Sequence, residues 1–369
     1  MKITSVEPIF VAIPYETGGP AWRDATGKVR ATMDAVYLKV ETDAGITGWG
    51  EAFGFGGCAL THAAYERLVT PMVLGRDIGE NASGLEALMA ELLQRTATIG
   101  RNGTAIFALS GLDVALWDIR GKALGMPVHR LLNPQSRDVM PAYASLLRTN
   151  DAAGLRDVVQ RALDRGYQHI KLHEKSVACV EAARDSCGAG YPLMLDVNCQ
   201  WTPQEALDNA RKLAACDLAW LEEPVYPPDD YNALAWLRRE QDIPIAAGEN
   251  LGNCIECERI IETGAVDVVQ PDTIKMGGIT EIWKTLEYAR KNNVRAEPHS
   301  PFFGPGWIAA VHVVSAMEQD GLCEFFFADL EATPCGDMVY PQCGQMCAPQ
   351  AAGLGIEVDE DILARYRVL

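Results

Sequence analysis

The sequence predicts an α/β fold, a βα-barrel preceded by a smaller α+β domain, and three observations carry that prediction. Short apolar runs recur through the second half of the chain, each marked by one ionisable residue. They are Lys171 in HIKLH, Asp196 in PLMLDVN, Glu222 in LAWLEEP, Glu249 in PIAAGEN, Asp272 in VDVVQPD, His299 in VRAEPH and Glu324 in CEFFF. The steps between these residues are 25, 26, 27, 23, 27 and 25, and such runs are expected of parallel strands buried on both faces. Amphipathic helical segments fall between several of the runs. The length of 369 residues exceeds a typical single domain, so a second unit is expected. One polar residue at the carboxyl end of each successive strand is the layout of a barrel active site. The pattern therefore points to an enzyme.

Residues 1–130 read as the α+β unit. ITSVEPIFVAI, DAVYLKVETDAG and ITGWGEAF are predicted strands, with Asp43-Ala44-Gly45 turning between two of them. Residues 14–30 form a polar, glycine-bearing loop between the first two strands. A helix follows over 104–124, with Ala105, Leu109, Leu112, Leu116 and Ile119 on one face. Residues 131–329 form the barrel. MPAYAS is its first strand, and DAAGLRDVVQRALDRG its first helix, with Leu155, Val158, Val159, Ala162 and Leu163 in one stripe and Gly166 as the stop. Thr202-Pro203-Gln204-Glu205 is a capping box with proline at the first helical position, so a helix starts there. ITEIWKTLEYARKNN is a further amphipathic helix, and CEFFF makes the eighth strand. Residues 330–369, rich in Gly, Pro and Cys, lack this rhythm and are expected to pack back on the first domain.

Bulk composition narrows the function. The net charge of −18 argues against nucleic acid and anionic membrane as partners. No run of 18 apolar residues predicts a transmembrane helix. MKITSVEPIF has acid and proline where a signal peptide needs an apolar stretch. Eleven cysteines then read as reduced thiols in a cytoplasm. Cys254 and Cys257 share a helix-like segment without a second pair at zinc-finger spacing, and Cys335, Cys343 and Cys347 are read as structural. Phosphate-loop, dinucleotide and nucleophile-elbow motifs are missing.

Asp196, Glu222 and Glu249 end three consecutive strands, so their carboxylates should converge at the barrel mouth. A single acid at a strand end is ordinarily an ion-pair partner. Three together, with Lys171 before and His299 after, would repel one another unless a cation sat between them. An all-oxygen set favours a hard ion such as Mg²⁺ and leaves positions for water and substrate.

The stretches ALSGLDVALWDIRGKALGMP (108–127), HIKLH, LMLDVN, WLEEP, AAGEN, VVQPDTIKMGGIT and AEPHS resemble the enolase superfamily, mandelate racemase-type subgroup, over almost the whole chain. The resemblance implies a modified TIM barrel, (β/α)7β, under an α+β capping domain built from both chain ends. It implies Mg²⁺ on Asp196, Glu222 and Glu249, a small-molecule carboxylate substrate and a homo-oligomer. It also implies a His299–Asp272 base that removes the proton beside the substrate carboxylate, with Lys171 adding positive charge. A protonated Glu324 would hydrogen-bond the same carboxylate. Lys275 matches a lysine near the dyad, and Asn198, two past the first ligand, is a candidate substrate contact. One motif departs from the pattern: where the racemase-type second strand has K-x-K, this chain has Lys171-Leu172-His173. Histidine is shorter and less basic than lysine, so a one-base dehydration of an acid sugar is the expected chemistry. Epimerisation, racemisation or cycloisomerisation is the alternative. Specificity is expected from Tyr15, Trp22 and Arg23 in the polar loop and from Phe53 to Phe55.

Overall fold

The computed structural model describes residues 1–19, 29–79, 82–300 and 302–369. Strands β1 (Ile3–Glu16), β2 (Thr32–Thr42) and β3 (Thr47–Ala52) form an antiparallel meander. The helix Thr104–Leu124 packs across it. That helix is buried almost all round rather than on one face, because the helices Gly278–Lys291 and Pro305–Ala316 press on it from the barrel. Glycine makes the close approach possible. A Cβ on Gly50 would lie 2.0 Å from the carbonyl oxygen of Gly111, and one on Gly111 would meet the backbone of Glu51 at 2.9 Å.

The second layer is the barrel. Its strands are β4 (Val139–Leu146), β5 (Ile170–Leu172), β6 (Leu193–Asp196), β7 (Trp220–Glu222), β8 (Ile245–Ala247), β9 (Val268–Val269), β10 (Arg295–Ala296) and β11 (Cys323–Phe326). The parallel ladder runs from β10 through β4 to β11. Between β10 and β11 a side chain bridges: the backbone N of Leu322 donates to Glu297 Oε2 at 2.6 Å. Seven helices alternate with the eight strands, so the chain is a (β/α)7β barrel with a capping sheet. The predicted capping box is present, Thr202 and Glu205 each bonding the other's backbone N–H. The helix Ala152–Asp164 buries Leu155, Val158, Val159 and Ala162.

Asp196 and Glu222 are the last residues of their strands, but Glu249, Asp272 and His299 lie two or three residues beyond theirs. Gly248, at φ +140°, breaks β8. Pro271 and Pro298 lack the N–H that would continue β9 and β10. A single Asp272–His299 bridge holds the two extended ends together.

The C-terminal segment divides between the two units. β12 (Asp329–Leu330) adds antiparallel to β1, pairing Tyr15 with Leu330, and Val11 bridges Arg367. β13 (Gln345–Cys347) instead pairs with β4 of the barrel. All eleven cysteines are free. Among the described residues no helix is long and apolar enough to cross a membrane.

Candidate active site

Alternation along each strand decides which side chains face the barrel axis. Tyr143, Met194, Trp220, Ala246, Val268 and Leu322 form a buried apolar floor. Two positions further along their strands, Ser145, Asp196, Glu222, Gln270 and Glu324 form a fully buried polar layer. Carboxylates this deep need counter-charge, and Lys171, itself fully buried, supplies it. Its Nζ lies 2.6 Å from Glu324 Oε1, 2.9 Å from Glu222 Oε1 and 3.7 Å from Asp196 Oδ2. Burial alone would lower the Lys171 pKa, but these carboxylates outweigh it and raise it well above the usual lysine value.

Glu222 is held at both oxygens. Lys171 donates to Oε1, while Trp220 Nε1 at 3.0 Å and Gln270 Nε2 at 2.8 Å donate to Oε2. Burial pushes its pKa up to about 7, with Asp196, Glu324 and Glu249 adding to the rise and Lys171 opposing it. Asp196 accepts from the backbone N of Asn198 at 2.7 Å and from its Nδ2 at 2.9 Å. Asp196, Glu222 and Glu249 each present an oxygen within 4.8 Å of the other two. Octahedral Mg²⁺ holds its ligands at about 2.1 Å, which puts ligand atoms about 3 to 4 Å apart. The spacing, the all-oxygen donor set and the fixed orientation of each carboxylate fit a hard divalent ion.

Across the mouth, His299 Nδ1 lies 2.5 Å from Asp272 Oδ2 and Nε2 lies 2.8 Å from Glu249 Oε2. The backbone N of Ile274 fixes the other Asp272 oxygen at 2.7 Å. Burial disfavours the imidazolium, yet Glu249, Glu324 and Asp272 together raise the His299 pKa well above its usual value. Lys275 Nζ reaches Asn250 Oδ1 at 3.0 Å and Glu249 Oε1 at 3.4 Å, and sits 4.8 Å from the centre of the Phe53 ring. On the β5 side, His173 Nδ1 is 2.7 Å from the carbonyl oxygen of Leu146. A carbonyl only accepts, so Nδ1 carries the proton and Nε2, 3.2 Å from Asp196 Oδ2, is the edge that faces the triad. His173 and His299 both line one cavity of about 510 Å³, together with Asn198, Lys275, Phe53 and Phe55.

Three expectations need correction or limits. Tyr15 is not on the cavity wall. Its hydroxyl donates to the carbonyl of Arg30 at 3.0 Å, and its ring packs edge-on against Phe326, which is the wall. The β1–β12 pairing pulls it there. Trp22 and Arg23 lie outside the described residues. Glu324 is not a protonated donor: burial would raise it, but Lys171 and His299 hold it at about 2, and it accepts from Ser145 Oγ at 2.8 Å. Arg148, Lys175 and Glu51 also line the cavity, and sequence reasoning passed over them. For Arg148 a signal existed, because it lies two residues past β4, where the rule that a polar residue ends each strand would have looked.

Two family models match this chain: "Enolase C-terminal domain-like" over residues 154–362, and "Mandelate racemase / muconate lactonizing enzyme, N-terminal domain" over 21–133. The chain is 30% identical over 355 residues to D-galactarolactone cycloisomerase of Agrobacterium fabrum, covering 90% of this chain and 91% of that one. It is 28% identical to arabinonate dehydratase of Saccharolobus solfataricus, covering 92% of each. A racemase from Streptomyces coelicolor, solved with bound magnesium, superposes with a TM-score of 0.84 at 27% identity, covering 99% of this chain and 100% of that one.

Proposed function

Because the chain belongs to the enolase superfamily, in its mandelate racemase / muconate lactonizing enzyme branch, we propose that it is a Mg²⁺-dependent acid-sugar dehydratase. In this reading it removes the proton beside the carboxylate of a hydroxy acid and expels the β-hydroxyl, and the enol formed tautomerises to a 2-keto acid. The observation that carries the reading is the asymmetry of the two histidines. His299 is backed by the buried Asp272, which fixes its tautomer. His173 has no such carboxylate behind it, only the Leu146 carbonyl.

Asp196, Glu222 and Glu249 would hold the ion, and when bound it offsets the charge that develops on the substrate carboxylate as the proton leaves. Lys171 adds a fixed positive charge beneath the same position, its ammonium held by Glu324, which in turn accepts from Ser145 Oγ. His299 Nε2 takes the α-proton. His173, whose second proton on Nε2 is favoured, against burial, by the neighbouring Asp196 carboxylate, delivers that proton to the departing hydroxyl. Asn198 and Lys275 orient the substrate, and the Phe53–Phe55 segment excludes water from above.

A second reading is an isomerase, an epimerase or a cycloisomerase, in which the same abstraction is followed by proton return or ring rearrangement without loss of water. It is favoured by the presence of a second histidine on the wall of the same cavity. Incubating the protein with Mg²⁺ and a library of aldonic and aldaric acids, and assaying for 2-keto acid, tests the main reading; no keto acid from any of them overturns it. In deuterated water, label at the α-carbon with inversion and retained hydroxyls selects the second.

A further inference from the structure

The cations of the cavity fall into two groups. Lys275 and His299 each have a carboxylate partner, in Glu249 and Asp272, as does the buried Lys171 beneath the cavity, in Glu324. Arg148 and Lys175 hydrogen-bond only neutral groups, although Asp196 and Glu174 lie near enough to Arg148 to act on its charge. Arg148 Nε donates to the carbonyl of His173 at 2.7 Å and Nη2 to Asn198 Oδ1 at 3.3 Å. Lys175 Nζ donates to Gln200 Oε1 at 2.6 Å. Among the described residues no carboxylate lies within ion-pair distance of either. This is notable in a chain with 50 acidic and 32 basic residues, where a basic side chain finds an acidic neighbour easily. The two also oppose one another: burial, and then the nearby Arg148 charge, hold Lys175 below the usual lysine range.

Their position relative to the triad is fixed by one side chain. Asn198 accepts from Arg148 and donates to Asp196, so a short carbon chain whose reacting end sits at the triad can reach the guanidinium with its other end. The remaining walls would repel a second anion. They include the aromatic Phe53, Phe302 and Phe326 and the acidic Asp34 and Glu51. The Nη1 group of Arg148 makes no hydrogen bond within the described residues, which leaves an Nη1–Nη2 edge able to meet a two-oxygen acceptor.

We propose that the substrate is dianionic, and that Arg148 and Lys175 receive a second anionic group at the end remote from the carbon that loses its proton. The inference rests on the proposed function for the position of the reacting end, and it narrows the substrate class from acid sugars in general to those with a charged terminus. A terminal carboxylate and a terminal phosphate share the chemistry that the two cations recognise.

The test compares matched six-carbon aldaric acids, aldonic acids and aldonic acid 6-phosphates on the Mg²⁺-loaded protein, by initial rates and by binding calorimetry. The wild type should favour one dianionic class over the aldonates at least tenfold in kcat/KM, and which class wins identifies the terminus. Lys175→Met should lower kcat/KM for that class about 10- to 100-fold, the scale of one charge-assisted hydrogen bond. The loss should fall on KM, because the contact is the same in ground and transition states. Aldonate turnover should change less than threefold. Arg148→Met is the second variant, with Mg²⁺ affinity as the check that His173 and Asn198 have kept their places. Equal losses on mono- and dianions, or a wild type that prefers aldonates, overturns the inference and leaves the dehydratase reading standing. If none of these acids is converted, the dehydratase reading falls, and calorimetry still decides the inference: equal affinity for mono- and dianions sinks it.

Discussion

Replacing Lys171 by Met tests whether the polar layer depends on one buried ammonium. The side chain is fully buried and within 2.9 Å of both Glu324 and Glu222. Glu324 is held at about 2, against an ordinary glutamate value of 4.5, by Lys171 and then His299, against the effect of burial. That difference corresponds to about 3 kcal/mol of folding stability, present above pH 4.5 and lost as pH falls through 2. Removing one partner of a buried ion pair costs about 3–5 kcal/mol, so the two routes to the magnitude agree. In a chain of this size the loss lowers Tm by about 4–6 °C. The deficit should be largest near pH 7 and shrink toward pH 4.5, where a carboxylate freed of its cation can take up a proton instead. Differential scanning calorimetry in EDTA from pH 4.5 to 8 measures both effects, and added Mg²⁺ should recover part of the loss. A Lys171→Met protein that melts within 1–2 °C of the wild type across this range would refute the argument.

Asp272→Asn keeps the shape of the dyad but removes the charge behind His299, so kcat should fall about 10³- to 10⁴-fold, with Mg²⁺ affinity unchanged in a calorimetric titration. Glu222, at about 7, must be ionised to bind the metal. Apparent Mg²⁺ affinity should therefore rise with pH through 7, and titrations in buffers of different ionisation enthalpy should show proton release. No release at pH 6.5 would count against the triad as the ligand set. Asp113, fully buried, is pushed up to about 7 by burial, although Thr280 donates to both its oxygens. A raised carboxyl favours folding below pH 3.8 and loses that advantage as pH rises through 7, at a cost of up to about 4 kcal/mol. Asp113→Asn should accordingly melt higher relative to wild type at pH 8 than at pH 5, and a gap independent of pH would show the carboxyl is not titrating there.

The parts of the site legible in the sequence were those set by strand periodicity. Parallel strands buried on both faces leave few positions for a charge, so Lys171, Asp196, Glu222, Glu249, Asp272, His299 and Glu324 stood out against apolar neighbours. The protonation of Glu324 was not legible, because it depends on a 2.6 Å contact with Lys171 across 153 residues of chain. Tyr15 was misread for a similar reason: its partner strand β12 lies more than 300 residues away, and no local signal marks that pairing. The helix at 104–124 showed its apolar stripe but not the barrel helices that cover its other side. Lys175 sits beside Lys171, His173 and Glu174, where composition gives no contrast, whereas the place of Arg148 two residues past β4 could have marked it.

The addition of β12 to β1 has a consequence for synthesis on the ribosome. Until residue 330 emerges, Tyr15 and Glu16 at the end of the first strand lack their ladder partners, and Phe10 and Val11 wait longer still for Val368 and Arg367. That edge of the roof is therefore completed only after the barrel beneath it has been translated.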